Sequence, residues 1–303
     1  MSKTYVRNLM GVPSEAKSSG SSLARFSVSM IMQSVGHART HWPQPGEDLP
    51  RLAREFVYPC LIKPVRSFSL QLPKQLRGLV VNSPEELLDF YSANPGVESS
   101  TIWQEIVEGG DDCVYQCNVL VRSNGQLGAY LCVHKIHQYP PGFGSMSFGR
   151  SEENATILGE SDRLLTHLKY RGLGSLEFKF RKKDGRYYFI EMNPRMPWYN
   201  SLIADAGINL PYLAYLDLVG EPDMRWPAAK PRTVHWASFE MELRWFLESR
   251  QARKVSLWNW LGGLTSARSF AWWEWRDPLP FLRSCVHLLG LAFGKLWRRG
   301  EKR

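Results

Sequence analysis

Residues Ser175–Arg195 read SLEFKFRKKDGRYYFIEMNPR, and this segment indicates the fold most clearly. Two runs of alternating apolar and polar residues flank Lys183-Asp184-Gly185, and such a turn between alternating runs predicts a β-hairpin. Successive side chains of a strand point to opposite faces, so Leu176 and Phe178 share one face and Glu177 lies on the other. The sequence therefore predicts a hairpin that buries one face and presents carboxylates on the other.

The polar face of this hairpin carries a set of oxygen ligands. Glu191 and Asn193 share a face of the second strand, and Glu177 lies fourteen positions before Glu191, across the turn. Two carboxylates and an amide oxygen suit Mg²⁺, which prefers hard oxygen ligands and often binds substrate phosphates as well. Arg195 follows at the same two-residue spacing, where its guanidinium suits a phosphate or carboxylate oxygen. On this pattern alone, an ordinary exposed hairpin is the alternative interpretation.

The segments on both sides of the hairpin alternate between strands and helices. Apolar or alternating runs predict strands at Tyr58–Pro64, Arg77–Val81, Ile102–Val107, Cys113–Val121, Leu127–Tyr139, Ser175–Arg181 and Tyr187–Asn193. Capping residues and helical spacing predict helices from Ser83 to Tyr91, from Ser161 to about Tyr170, and from Asn200 to Val219. Antiparallel hairpins that alternate with helices indicate an α+β fold.

The composition limits the classes of partner. The chain has 303 residues, a formal net charge of +9 and a pI near 9.3. We read the positive charge as diffuse apart from the end of the chain, at Lys295, Arg298, Arg299, Lys302 and Arg303. No stretch alternates basic and aromatic residues as a single-strand-binding groove does, so no nucleic-acid partner is predicted.

Cysteine usage and hydropathy indicate the compartment. The five cysteines are scattered at positions 60, 113, 117, 132 and 285, without a C-x-x-C pair. This spacing suits neither a zinc site nor a disulfide framework, so we expect reduced thiols in a cytoplasmic protein. No run of eighteen apolar residues exists, so no membrane span is predicted.

Four segments, in order, resemble the motifs of the ATP-grasp superfamily. The stretch FIEMNPR at 189–195 resembles its metal-binding E-x-N-x-R strand, and Glu177 takes the preceding acidic position. The stretch YPCLIKP at 58–64 resembles its K-P strand, and WQEIVEG at 103–109 resembles the hinge that reads adenine. The resemblance extends roughly from His41 to Asp223 and is strong because the four matches keep the family's order.

The resemblance implies a role for each matching residue. Glu177, Glu191 and Asn193 would bind the metal, and Arg195 and Lys135 would be catalytic, although Lys135 is equally consistent with a solvated strand lysine. The residues implied in ATP binding are Lys63, Arg77, Gln104, Glu105, Ile106, Val107 and Asp111, with Asp112 as the alternative to Asp111. Arg77 stands where the family usually has a second phosphate-binding lysine.

The resemblance also implies an activity. It predicts an α+β ATP-grasp fold whose two subdomains, with antiparallel sheets, hold ATP between them. ATP and Mg²⁺ (Mn²⁺ as the alternative metal) would activate a small-molecule carboxylate as an acylphosphate, which an amine then attacks. The closest likeness is to the carboxylate–amine ligase branch related to D-aspartate ligase, on HKIHQYPP at 134–141 and GINLPY at 207–212.

The domain organisation follows from these segments. We expect a poorly ordered leader at 1–41, an ATP-grasp domain at 42–225 with subdomains at 42–104 and 105–225, and a Trp-rich extension at 226–303. A basic amphipathic helix in that extension would pack on the core, bind a protein partner or second copy, or lie at a membrane interface. Residues 1–41 show neither strand–helix alternation nor a Gly-rich turn, so we expect no counterpart there of the family's usual front Rossmann-like domain. The alternative function is therefore a catalytically reduced ATP-binding module that needs a partner, or a truncated ligase.

Overall fold

The computed structural model describes residues 34–64, 78–221, 231–248, 255–274 and 276–286. Twelve strands are found in these residues: β1 Gly36–His37, β2 Thr40–His41, β3 Cys60–Pro64, β4 Leu79–Val81, β5 Thr101–Glu105, β6 Val114–Val121, β7 Leu127–Tyr139, β8 Ser145–Ser151, β9 Gly172–Arg181, β10 Arg186–Asn193, β11 His235–Ala237 and β12 Ser269–Phe270. The α-helices are α1 Leu49–Glu55, α2 Pro84–Ala93, α3 Ala155–His167, α4 Asn200–Asp205, α5 Leu210–Val219, α6 Phe239–Glu248 and α7 Leu257–Thr265.

The strands form two sheets. One sheet has four strands in the order β2-β5-β3-β4, and all of its recorded pairs are antiparallel. The other has eight strands in the order β1-β10-β9-β6-β7-β8-β11-β12. Its edge pairs β1–β10 and β11–β12 are parallel, whereas β6–β7, β7–β8 and β8–β11 are antiparallel. The predicted α+β class is confirmed, but the larger sheet is mixed rather than antiparallel, because its edge strands return through long connections instead of hairpins.

The chain divides into two compact units. The first comprises the described part of Met1–Gly109 together with Gly159–Lys169 and Phe178–Glu191; the second comprises Gly110–Leu158, Tyr170–Glu177 and the described part of Met192–Arg303. In the first unit, α1 and α2 contact each other and cover the four-stranded sheet. Their core includes Ile62, Leu87 and Trp103, which are fully buried.

The second unit has its own core. Side chains from α4 and α5 pack on one face of β6, β7 and β8 around Leu131, Val133 and Trp236. A separate aromatic cluster joins α6 to α7 through Trp245 and Trp260, whose neighbours include Phe246 and Tyr139. The Trp-rich segment after residue 231 therefore contributes to the interior of this unit.

Several predicted boundaries differ from the structure. Residues 36–41, predicted as part of the leader, form β1 and β2, because short edge strands carry too few residues for a period-two pattern to be visible. The predicted end of the ATP-grasp domain at residue 225 does not coincide with an edge of the sheet, since β11 and β12 extend it. The first of the unit boundaries lies at Gly109–Gly110 rather than at 104–105, and residues 159–169 and 178–191, predicted in the second subdomain, belong to the first unit.

The predicted helix from Asn200 to Val219 is two helices. Gly207 has a φ of +100°, and this left-handed conformation ends α4, which an uninterrupted helix cannot accommodate. Asn209 then caps α5 by accepting a hydrogen bond from the N–H of Tyr212, with Pro211 in the first turn. By contrast, the predicted helix at Ser83 begins as expected, because the Ser83 hydroxyl accepts from the N–H of Glu86.

The sequence predicts neither a membrane span nor a disulfide framework. Among the described residues, no helix combines the length and apolar content needed to cross a bilayer. All five cysteines are free thiols: Cys60, Cys113, Cys117 and Cys132 are buried, and Cys285 is partly exposed. Burial raises the pKa of Cys60 to about 12, and the pKa of Cys132 is also raised, first by its hydrogen bond with Cys117 and then by burial.

These surroundings predict unequal thiol reactivity. The thiolate is the nucleophile, and a thiol with a pKa near 12 is ionised to only about one part in ten thousand at pH 8. We therefore expect a maleimide at pH 8 to label Cys285 of the folded chain first and to label the four buried thiols far more slowly. Mass spectrometry of the labelled peptides measures this order.

The matched control for this experiment is Cys285→Ser, which should remove the fast phase and leave the slow labelling unchanged. Unfolding in guanidinium should bring all five thiols of the unmodified chain to the same rate. Fast labelling of Cys60 in the folded chain would contradict the described core.

Candidate functional site

The first unit brings together two of the predicted site residues, Lys63 and Glu191. Cys60 and Ile62 are buried on one face of β3, so Leu61 and Lys63 lie on the other. The Nζ of Lys63 donates to Oε2 of Glu191 at 3.3 Å. The two side chains are 18% and 44% exposed, so this ion pair remains accessible to solvent. The ammonium of Lys63 can bind a phosphate oxygen, and the carboxylate of Glu191 is an oxygen ligand of the kind that a divalent cation prefers.

The predicted hinge residues are held by contacts within the first unit. The side-chain amide of Gln104 donates to the carbonyl of Ile190 at 3.0 Å, and the N–H of Ile106 donates to the carbonyl of Pro59 at 3.2 Å. The carboxylate of Glu105 accepts from the N–H of Arg39 at 2.9 Å. Val107 is buried in a small apolar cluster. These contacts fix the course of the backbone from β5 towards Gly109.

Asp111 is a buried carboxylate with one partnered oxygen. Its Oδ1 accepts from the side-chain amide of Gln138 at 2.8 Å and from the N–H of Gly142 at 3.0 Å. Its Oδ2 has no hydrogen-bond partner among the described residues. Because burying a carboxylate oxygen without a donor is costly, this oxygen is a strong acceptor for a hydroxyl or amide of a ligand.

The second unit contains a buried polar chain that starts at Lys135. This lysine is only 4% exposed, and its Nζ donates to Oε2 of Glu177 at 2.9 Å. The side-chain amide of Gln116 donates to the same carboxylate oxygen, and the hydroxyl of Tyr199 donates to the carbonyl oxygen of Gln116. Burial raises the pKa of Tyr199, so its hydroxyl stays protonated as the donor at the end of this chain.

Sequence reasoning missed Gln116 and Tyr199. A signal for Gln116 was present, because Gln116 and Asn118 are two amides at alternate positions of an otherwise apolar strand, and buried amides need partners. Tyr199 offered no comparable signal. It lies in the segment before α4, and only the packing of that segment on the sheet brings its hydroxyl to Gln116.

The remaining predicted residues are less constrained. Asn193 ends β10 and is half-buried, whereas Arg195 is exposed and donates to the carbonyl of Met196 at 3.3 Å. Arg77 lies outside the described residues. The predicted alternation of buried and exposed faces holds on β9, where Leu176 and Phe178 are buried, but on β10 only Tyr188 is buried.

The two histidines of the 134–141 segment, His134 and His137, contact aromatic rings. His134 stacks on Tyr115 with ring centroids 4.3 Å apart. His137 stacks on Trp245 at 3.6 Å and contacts the buried carboxylate of Glu242 at 3.0 Å. Glu242 also accepts from the indole N–H of Trp260, so the network joins β7 to α6 and α7.

The structure adds one cavity in the first unit. The cavity, of about 350 Å³, is lined by Arg39, Phe56, Trp103 and Ile190 among others, and by none of the predicted site residues. In the part of the chain that the structure describes, no three His, Cys, Asp or Glu side chains are grouped to hold a metal. The predicted metal ligands Glu177, Glu191 and Asn193 are not a group of this type, because one of the three is an amide.

Residues 148–212 match the sequence family described as the carbamoyl-phosphate synthase L chain, ATP binding domain. This segment includes Glu177, Glu191, Asn193 and Arg195. Comparison with curated protein sequences finds no match to the chain.

Several solved structures share the fold of this chain. The biotin carboxylase domain of the 2-oxoglutarate carboxylase of Hydrogenobacter thermophilus is 16% identical with a TM-score of 0.54, covering 76% of this chain and 50% of that one. The N5-carboxyaminoimidazole ribonucleotide synthetase of Thermus thermophilus is 18% identical with a TM-score of 0.53, covering 70% and 54%. Biotin carboxylase of Campylobacter jejuni is 16% identical with a TM-score of 0.51, covering 70% and 48%.

These comparisons confirm the predicted α+β fold of the ATP-grasp superfamily. The chain spans about half the length of each of these three proteins. The narrower likeness to the D-aspartate ligase branch is not specifically supported.

The contrast between the two lysine–glutamate pairs predicts unequal effects on stability. Glu177→Gln would leave the buried ammonium of Lys135 without its counter-charge, at a cost of about 3–5 kcal/mol in the free energy of unfolding. Glu191→Gln breaks the accessible pair and should cost about 1 kcal/mol or less. Denaturant unfolding of the two variants measures the difference.

The double variant Lys135→Met/Glu177→Gln controls for the side-chain change itself. Removing both charges should recover much of the loss caused by Glu177→Gln, because no unpaired charge is then buried. Equal costs for Glu177→Gln and Glu191→Gln would contradict the described burial of Lys135.

Proposed function

We propose that this chain, which has the ATP-grasp fold, is a Mg²⁺- and ATP-dependent ligase that joins a small-molecule carboxylate to an amine. The observation that carries the proposal is the accessible pair of Lys63 and Glu191, at 3.3 Å, on the two strands whose sequences resemble the family's phosphate-binding and metal-binding motifs. In this proposal the ammonium of Lys63 binds a phosphate oxygen of ATP, and the carboxylate of Glu191 binds the metal.

Asp111 supports the binding of a nucleotide. Its buried Oδ2, which has no partner among the described residues, would accept a hydrogen bond from a hydroxyl of the ribose. Gln138 and the N–H of Gly142 hold the other oxygen, so the carboxylate is already oriented before a ligand binds. Preorganisation of this kind reduces the entropy that binding costs.

The predicted metal ligands fit Mg²⁺ in their chemistry. Glu177, Glu191 and Asn193 provide only oxygen ligands, which Mg²⁺ prefers, and three protein oxygens leave room for water and phosphate oxygens. When bound, the metal would neutralise charge on the phosphates of ATP. The complex of the Hydrogenobacter thermophilus relative holds MgADP and bicarbonate, which supports the same ligand classes here.

The proposed reaction has two steps. A carboxylate oxygen of the substrate attacks the γ-phosphorus of ATP, forming an acylphosphate and releasing ADP. The amine nitrogen then attacks the acyl carbon, inorganic phosphate leaves with the electron pair of the broken C–O bond, and the nitrogen loses one proton to the departing phosphate. Both steps depend mainly on positioning and on cations that stabilise negative charge, for which Lys63, Lys135 and Arg195 are the candidates.

Lys135 differs from the other two cations because it is buried against Glu177. A buried ammonium in a fixed position acts on a developing negative charge without reorganising, which makes electrostatic stabilisation more effective. The chain of Gln116 and Tyr199 behind Glu177 holds the carboxylate in place. We therefore assign Gln116 and Tyr199 as positioning residues and Lys135 as a catalytic residue.

The test is the release of inorganic phosphate by the full chain with ATP, Mg²⁺ and a panel of carboxylate–amine pairs. We expect release that requires both a carboxylate and an amine. Glu191→Gln should lower kcat by about 100-fold or more, because one of the proposed metal ligands is removed and negative charge in the transition state is less well stabilised. Lys63→Ala should weaken ATP binding, as measured by calorimetry.

The control is Glu221→Gln, which makes the same charge change at an exposed position after α5 and should leave turnover unchanged. Full turnover by Glu191→Gln would overturn the assignment of the metal ligand. Binding of ATP without phosphate release across the whole panel would favour a catalytically reduced ATP-binding module instead.

A further inference from the structure

Two of the buried cysteines lie directly opposite each other in the larger sheet. Cys117 on β6 and Cys132 on β7 are partners in the antiparallel register, although fifteen positions separate them in the sequence. Side chains that are directly opposite on antiparallel strands point to the same face of the sheet. The register therefore brings together two thiols that their spacing in the sequence did not connect.

The type of pairing determines how closely the two backbones approach. The carbonyl of Cys132 accepts from the N–H of Glu152 at 3.0 Å, so the backbone polar groups of Cys132 face the β8 side and not β6. Cys117 and Cys132 are therefore a non-hydrogen-bonded pair, a type in which the Cα atoms are about 4.5 Å apart and the side chains are closest. A disulfide accommodates Cα separations of about 4.4–6.8 Å, so this pair can be bridged without moving either strand.

The two thiols contact each other inside the second unit. Cys117 is fully buried, and Cys132 is 3% exposed. The thiols are hydrogen-bonded to each other, and this bond, before burial, is the largest cause of the raised pKa of Cys132. The Sγ of Cys132 also lies 3.8 Å from the carbonyl oxygen of Asn154. Both the backbone geometry and the side-chain contact therefore suit a bond between the two sulfurs.

The other three cysteines have different neighbours. Cys60 on β3 stands opposite Val81 and Glu105. Cys113 precedes β6, where its thiol contacts Asp112, and Cys285 is partly exposed. Among the registers of the described strands, Cys117 and Cys132 are thus the one pair of cysteines that face each other.

We propose that Cys117 and Cys132, which we call the cross-strand pair, form an intramolecular disulfide when the folded chain meets a hydroperoxide. The cross-strand pair would then be a site of reversible oxidation. The proposal is independent of the proposed ligase activity.

The proposed oxidation balances with hydrogen peroxide as the oxidant. One thiol sulfur attacks a peroxide oxygen, the O–O bond breaks, and a sulfenic acid and one water molecule form. The second sulfur then attacks the sulfur of the sulfenic acid, the S–O bond breaks, and the hydroxyl leaves as water with the proton of the second thiol. The two sulfurs together lose two electrons, and the peroxide is reduced to two water molecules.

Burial determines the rate of this oxidation and the effect of its product. Hydrogen peroxide is small and uncharged, so it enters a packed interior more readily than a maleimide or glutathione does, although a raised pKa keeps the reaction slow. The disulfide would join β6 to β7 on the face opposite that of Gln116 and Lys135, because side chains alternate along each strand. It would also restrict the unfolded chain, which stabilises the folded one.

The test is treatment of the reduced full chain with hydrogen peroxide, followed by unfolding with a maleimide present and mapping of the unreduced peptides. Five thiols can be paired in ten ways. We expect the main intrachain disulfide to join Cys117 to Cys132 and to be reversed by dithiothreitol. In the Cys285→Ser background, which excludes oxidation of the exposed thiol, the oxidised chain should have a Tm about 5 °C or more above that of the reduced chain.

The matched controls change one buried thiol of the second unit at a time. Cys132→Ala leaves Cys117 without a partner, so both the cross-link and the rise in Tm should be lost. Cys113→Ala, which makes the same substitution outside the cross-strand pair, should leave both unchanged. The peptide map of the unmodified chain is decisive by itself, and it does not depend on the folding of either variant.

Several outcomes would overturn the proposal. Oxidation of Cys285 while Cys117 and Cys132 stay thiols would do so, and so would a disulfide between either of them and another cysteine. Sulfinic acid at Cys117 or Cys132 without a cross-link would show that the two sulfurs do not reach each other. A disulfide that forms only on refolding from guanidinium with oxidised glutathione would show that peroxide does not reach the pair in the folded chain.

Discussion

The buried ammonium of Lys135 imposes the strongest single constraint on the second unit. A charge removed from water must be paired and hydrogen-bonded, and Glu177 meets this requirement at 2.9 Å. The carboxylate in turn needs donors, which Gln116 provides, and Tyr199 satisfies the amide oxygen of Gln116. A single chain of polar contacts therefore fixes the relative positions of β6, β7, β9 and the segment before α4.

The protein contains two lysine–glutamate pairs that differ in burial. The Lys63–Glu191 pair is accessible, so its charges are largely screened and it contributes little to stability. Such a pair can exchange its partners for a ligand at low cost. The buried pair cannot do so without leaving a charge unpaired, so its geometry is kept fixed. Binding a ligand needs a pair that can exchange its partners, whereas stabilising a developing charge needs a pair with fixed geometry. Burial, rather than residue type, decides which of the two a lysine–glutamate pair is.

The aromatic residues after residue 231 have two distinct uses. Trp236, Trp245 and Trp260 fill the interior of the second unit, and the last two pack around the contact between His137 and Glu242. Trp258, in contrast, is exposed on the opposite side of α7 from Trp260. A helix with buried and exposed tryptophans two positions apart has two apolar sides, which is more than packing on its own core requires.

Periodicity in the sequence determined the central elements and the motifs on them. The 2-residue alternation of Leu127–Tyr139 and the cap at Ser83 are local properties, and both predictions agree with the structure. Local pattern did not predict β8, Ser145–Ser151, because its glycine and serines have weak strand preference and it forms a strand through pairing with β7 and β11. The short strands β1, β2, β11 and β12 were likewise not predicted by local pattern, and they too form through pairing with neighbouring strands.

The α+β class, the order of the motifs and the residue types of the candidate site could therefore be predicted from the sequence. The burial of Lys135, the accessibility of Lys63 and the contacts of Gln116 and Tyr199 behind Glu177 could not, because they depend on the packed fold. The physical reason is that period and capping act between residues a few positions apart. Burial and the pairing of a charge depend on segments distant in the chain, such as Gln116 and Tyr199, which come together only when the sheet is packed.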